Sequence, residues 1–151
     1  MSSMKDKAFL DTNILVYAID SDPAGQHKRR EARELVHEHI VNRSGVISVQ
    51  VMQEFFVTAT RKIANKLSVD ESLEFLSYIS VLEIVYPDEH LVFSAARKLK
   101  HDQISFWDAM IIHSARISGC TTLLSEDLQS GSEIDGVKII NPFCMKMCTR
   151  C

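Results

Sequence analysis

The chain lacks several things, and each absence narrows what it can be. No apolar stretch approaches the ~18 residues of a membrane-spanning helix, so none is expected. The opening Met-Ser-Ser-Met-Lys-Asp-Lys has no apolar core of the kind a secretory signal needs, which points to the cytoplasm. Glycine and proline are scarce, at 5 and 3 in 151 residues, and no linker, low-complexity tract or internal repeat is visible. An excess of positive charge is missing too. With a net charge of −3 the whole molecule is not an electrostatic binder of nucleic acid, although a local basic stripe can still steer a polyanion. Cysteine is almost absent from the body of the chain: of 4 in all, Cys144, Cys148 and Cys151 sit at the very end. A cytosolic setting argues against structural disulfides. Their spacing offers three ligands of a zinc site and no fourth, so a tail of reduced thiols is the simpler reading.

What is present is ordinary for a globular protein, with 46% hydrophobic and 25% charged residues. The length suits a single domain with a sizeable core. The stretch around which the rest is organised is Lys7-Ala8-Phe9-Leu10-Asp11-Thr12-Asn13-Ile14-Leu15-Val16-Tyr17. Ala8 to Leu10 reads as a buried strand, and Ile14 onward suits a helix, so the pair begins a βα unit with Asp11 at the strand's carboxyl end. Asn13 or Thr12 could cap that helix, with Asp11 a turn residue; equally, Asp11 could be a functional carboxylate.

Further along, Gln26 to Arg43 has the apolar spacing of a helix, through Ala32, Leu35, Val36, His39 and Ile40. It starts with His27, Lys28, Arg29 and Arg30, and Arg33 follows one turn on; a solvated face is preferred over a phosphate-contacting ridge. Gly45 to Ser48 is a short strand, and Ser48 caps a helix from Val49 to about Ala64 with Met52, Phe55, Phe56, Ala59 and Ile63 inside. Ser68-Val69-Asp70-Glu71 has the form of a capping box and opens a helix whose inner face is expected at Val69, Leu73, Leu76 and Ile79. Val81 to Tyr86 is a strand stopped by Pro87. Asp88 then caps a helix to Lys100, with Val92, Ala95, Ala96 and Leu99 inside. Ser105-Phe106-Trp107-Asp108 opens the most apolar helix, ended by Gly119, with Trp107 expected in the core and Asp108 the acidic partner of a Ser105 capping box. Thr121 to Leu124 is a strand followed by the polar turn Ser125-Glu126-Asp127, and Val137 to Ile140 is the last strand. Alternating strands and helices imply a mostly parallel sheet of about five strands, covered on both faces.

Asp11, Glu54, Asp108 and Asp127 each fall just after an expected strand or in the first two turns of an expected helix. In a doubly wound sheet those positions share one rim. Carboxylates gathered there repel one another, and a divalent cation relieves the repulsion. Carboxylate oxygens with water suit Mg²⁺ or Mn²⁺ better than zinc. Such a cation can activate water and stabilise a phosphodiester under attack.

Phe9-Leu10-Asp11-Thr12-Asn13-Ile14-Leu15-Val16-Tyr17 resembles the opening motif of PIN-domain nucleases. Gln53-Glu54-Phe55, Trp107-Asp108-Ala109 and Leu123-Leu124-Ser125-Glu126-Asp127-Leu128 resemble that family's other motifs, in the family's order. Asn141-Pro142-Phe143 resembles a common ending of bacterial members. The resemblance implies a three-layer α/β/α PIN-like nuclease domain over residues 1–143, with 144–151 an appended tail. It implies a Mg²⁺- or Mn²⁺-dependent endoribonuclease, and in a domain of this size often the toxin of a VapC-type toxin–antitoxin pair: a homodimer acting on RNA and neutralised by a small antitoxin. By the same resemblance Asp11, Asp108, Glu54 and Asp127 are the catalytic metal ligands, and Thr12, Asn13 and Ser125 are supporting polar residues. Two alternatives stand beside this. One is a phosphatase of the haloacid-dehalogenase type with Asp11 as nucleophile, although Asn13 stands where that chemistry wants an acid. The other is an RNA-binding module that keeps the fold without the catalysis.

Overall fold

Lys7–Leu10 forms β1, and Ala8, Phe9 and Leu10 are all buried, so this strand has no solvent face. The computed structural model describes residues 6–144. In chain order it contains α1 (Thr12–Ile19), a 3₁₀ turn (Pro23–Gly25), α2 (Gln26–Val41), β2 (Gly45–Ser48), α3 (Val49–Arg61) and α4 (Val69–Ile79). There follow β3 (Glu83–Val85), α5 (Glu89–Lys98), α6 (Phe106–Ile117), β4 (Cys120–Leu124), β5 (Glu133–Ile134) and β6 (Val137–Ile140). The sheet has six strands in the order β3-β2-β1-β4-β6-β5. Every pairing is parallel except β5 with β6. Helices cover both faces, giving the expected three layers.

Local chemistry explains most boundaries. The Ser48 hydroxyl accepts the Val51 N–H and caps α3, and the Asp88 carboxylate caps α5 through the Leu91 N–H. Ser68 and Glu71 close a reciprocal capping box at α4. Gly119, at φ +79°, ends α6 in the left-handed region. Gly45 is needed for space: a Cβ there would stand 2.8 Å from Leu82 Cδ2 and 2.9 Å from His39 Cβ.

Several expectations need correction. The sheet carries one strand more than the sequence suggested. β5 is only two residues long, too short for an alternation signal, and joins β6 through Asp135-Gly136, both at positive φ. That Asp-Gly pair is the hairpin signature that would have revealed it. The buried face of α4 is Ser72 and Ile79, with Phe75 and Leu76 against them; Val69 and Leu73 are exposed. In α5 the buried residues are Leu91 and Ala95, whereas Val92, Ala96 and Leu99 lie outside. Both helices carry apolar residues on more than one face, so periodicity alone could not fix their rotation. Of the three terminal cysteines, Cys144 is a half-buried free thiol, and Cys148 and Cys151 lie outside the described residues.

Candidate active site

The site is set by a change of direction in the sheet. The chain lays β2 and β3 on one side of β1, then crosses back to lay β4 on the other. Connections leaving β1 and β4 therefore diverge and open a crevice at the strands' carboxyl ends. Asp11 directly follows β1, and Ser125-Glu126-Asp127 directly follows β4. The ladder holds up to the crevice, since the Asp11 N–H donates to the Leu124 carbonyl at 3.0 Å.

Asp11, not Thr12 or Asn13, is the N-cap of α1, its Oδ1 accepting the Thr12 N–H at 2.8 Å. Its other oxygen accepts the hydroxyl of Ser125 at 2.7 Å. Ser125 is fully buried and works as a hub, also accepting the N–H groups of Asp127 and Leu128. Asn13 Nδ2 donates to Asp127 Oδ2 at 3.0 Å, and Asn13 Oδ1 accepts the Glu126 N–H. Thr12 Oγ1 donates to Glu54 Oε2 at 2.7 Å. The first turn of α1 thus touches two of the other acidic residues, one on each side. A cleft of about 680 Å³ opens beside them, lined in part by Thr12, Asn13, Tyr17, Glu54 and Asp127.

Electrostatics follow from this crowding. Burial pushes the Asp11 carboxyl up to about 6, and the negative charges of Glu54 and Asp127 push the same way. The bonds from Ser125 and Thr12 pull in the opposite direction and only partly offset it. Asp108 is placed differently. Its N–H donates to the Ser105 hydroxyl at 3.0 Å, which caps α6. The reciprocal half of the expected capping box is absent, and among the described residues its carboxylate has no hydrogen-bond partner. The start of α6 is joined to the other acids through Gln50, whose Nε2 donates both to Glu54 Oε1 at 2.8 Å and to the Trp107 carbonyl at 3.3 Å.

A hard dication suits this donor set. The groups are carboxylate and hydroxyl oxygens, and Asp11 is a desolvated acid among like charges. Among the described residues no three acidic, histidine or cysteine side chains form a ready cage.

The family model of the PIN domain matches residues 8–130. The chain belongs to the PIN domain family. No curated protein sequence matches it. Several solved structures share its fold. A toxin–antitoxin complex from Klebsiella pneumoniae superposes with a TM-score of 0.65 at 19% identity, covering 90% of this chain and 98% of that one. A DNA-bound VapBC from Salmonella typhimurium gives 0.61 at 20% identity, covering 89% and 97%. Mycobacterium tuberculosis VapC20, described as a sarcin-ricin loop cleaving toxin, gives 0.63 at 16% identity, covering 80% and 90%.

Within this PIN domain, Asp11, Glu54 and Asp127 are brought together with Thr12, Asn13 and Ser125, and Asp108 stands at the mouth of α6 without a partner. Trp107 is not in the core: it is 60% exposed, packed edge-on against Phe106. Its place in the first turn, before α6 enters the core, puts it outside the apolar stripe that follows. The basic run of α2 is not simply solvated either. Arg33 Nε donates to the Ala18 carbonyl and Arg29 to the Asp20 carbonyl, at the negative end of α1. Lys28 reaches Glu126. Gln50 is the supporting residue missing from the sequence reading; its place four residues before Glu54, on the same helical face, is the signal that could have found it.

Proposed function

We propose that this PIN domain is a divalent-metal-dependent endoribonuclease and the toxin of a type II toxin–antitoxin pair, acting in the cytoplasm. The observation that carries the reading is the buried Asp11 carboxylate, pushed up by desolvation and by the charges of Glu54 and Asp127 beside it, in a family of metal-dependent nucleases. The solved structures it resembles in fold are toxin–antitoxin assemblies, which supports an antitoxin as its partner. The nuclease unit is taken as residues 1–143.

In this reading Asp11, Glu54, Asp108 and Asp127 hold Mg²⁺ or Mn²⁺. Bound there, the cation supplies Lewis-acid activation of water and neutralises charge on the phosphodiester. Ser125, Thr12 and Asn13 aim the carboxylates through the bonds already described, as groups behind a metal's ligands do. Asp108, whose carboxylate has no hydrogen-bond partner among the described residues, would be available to the cation as a ligand. Purified protein should cleave RNA with Mn²⁺ or Mg²⁺, and lose that activity with EDTA or in D11N and D108N. Full activity in both variants would refute the assignment.

The phosphatase alternative lacks its acid. Asn13 stands two residues after Asp11, and its amide is engaged at both ends, by Asp127 and by the Glu126 N–H. A purely binding module would have no need of a buried carboxylate held near pKa 6. We propose a homodimer formed through the sheet edge at β3. There Tyr86 is 73% exposed beside an apolar groove that includes Met52, Phe56, Val57 and Ile84. Sedimentation should give a dimer for the wild type and a monomer for Y86D.

A further inference from the structure

Between Ser125 and Asp127 stands a carboxylate the catalytic reading does not use. Glu126 adds another negative charge beside an already crowded cluster, yet it is not among the residues lining the cleft. Its Oε1 accepts the Lys28 ammonium at 2.8 Å and the Tyr17 hydroxyl at 3.1 Å. Its Oε2 is buried with no hydrogen-bond partner among the described residues. The ammonium lies 4.9 Å from the centroid of the Tyr17 ring and 5.7 Å from that of Phe143, and the two rings meet edge-to-face at 5.2 Å. Lys28 and Tyr17, from α2 and α1, close on Glu126, and Phe143, from the segment after β6, packs against both of them.

The other side of the same loop is held as well. Asn13 accepts the Glu126 N–H and donates to the Asp127 carboxylate. The Glu126–Asp127 segment is therefore pinned from within by Asn13 and from without by Lys28 and Tyr17. We infer that Lys28 and Tyr17, acting through Glu126, are positioning residues that fix the reach of Asp127 toward the metal. This rests on the assignment of Asp127 as a ligand made above. Phe143, in the Asn141-Pro142-Phe143 segment, forms one wall around the ammonium.

The test uses the full chain and Mn²⁺ alone as probe, read as the metal concentration that half-saturates the rise in melting temperature. K28M keeps the stem and removes the ammonium; it should raise that concentration roughly 10-fold, the usual scale for losing a group behind a ligand. K28R should restore it to near the wild-type value, and Y17F should weaken it by a smaller factor. In RNA cleavage at fixed Mn²⁺, K28M should lower kcat and leave KM unchanged. If Lys28 acted only as a positive charge near the cation, its removal would tighten Mn²⁺ instead; that result overturns the proposal. So does a change confined to KM, which would make Lys28 a phosphate contact, and so does an unchanged half-saturation in both K28M and Y17F. Should K28M fail to fold, Y17F, which loses only a hydroxyl, decides by the same criterion. D127N separates the two levels. Weak Mn²⁺ binding in D127N with normal binding in K28M and Y17F removes the clamp alone. Normal binding in D127N removes the ligand assignment and the clamp with it.

Discussion

The junction of β1 with β4 and the mouth of α6 both present an aspartate to the same rim of the sheet, and they do so in opposite ways. At the junction, both oxygens of Asp11 are engaged, and Ser125, Asn13 and Thr12 link it to two other acids. At the mouth of α6, Asp108 has a partly exposed carboxylate with no hydrogen-bond partner among the described residues. The first aspartate is bought with stability: a desolvated charge is retained where a neutral amide would be easier to bury. The second costs the fold little. For the cation proposed above, the wired acid would fix where the charge sits, and Asp108 would be available to it without giving up a bond seen among the described residues.

The contrast is sharpest in the two amide variants. D11N and D108N should each lower RNA cleavage at least about 100-fold, since losing a ligand should cost no less than losing the group that orients one. Their metal-free stabilities should differ. D11N removes a buried charge whose pKa is raised from 3.8 to about 6 but loses one of the two hydrogen bonds that the carboxylate accepts, so it should be stabilised at neutral pH by less than the roughly 3 kcal/mol that the shift alone represents. D108N should unfold at nearly the wild-type denaturant midpoint. Equal stabilisation in both would erase the distinction.

The same group gives a pH dependence. Between about pH 4 and 6 the unfolded Asp11 ionises while the folded one keeps its proton. The native state then binds more protons, so this group's contribution to stability falls as pH rises across that window and stays constant above it. Denaturant titrations of metal-free wild type and D11N should diverge across that range, with the variant lacking this part of the slope.

Two smaller effects probe the edges of the comparison. S125A deletes the donor to Asp11 and the acceptor for two part-buried N–H groups, and should destabilise by about 1–3 kcal/mol. W107A, at an exposed side chain, should change stability by no more than about 0.5 kcal/mol. A loss of several kcal/mol in W107A, measured by chemical denaturation, would show that Trp107 packs as a core residue after all.

Much of the fold could be read from single residues. Ser48, Ser68, Asp88 and Ser105 mark four helix starts because a side-chain cap is a local bond between neighbours in the chain. The facing of α4 and α5 could not be read that way. Leu73 and Leu76, or Leu91 and Val92, are equally apolar, and only the neighbouring elements choose between them. Trp107 escaped for a related reason: its type favours burial, but its position in the first turn precedes the buried part of α6.

For the site, the sequence by itself determined the inventory: acidic residues placed after strands or in early helical turns, because chain connectivity fixes those offsets. It also carried the motifs by which the PIN family is recognised. Only the tertiary structure decided which acid is buried and wired, that Gln50 bridges Glu54 to α6, and that Lys28 leaves its basic neighbours to hold Glu126. Apart from the Gln50–Glu54 and Asp11–Thr12 bonds, which are local, the contacts join residues 42 to 114 positions apart. No local rule encodes them, since each depends on which strand lies beside which once the sheet reverses direction.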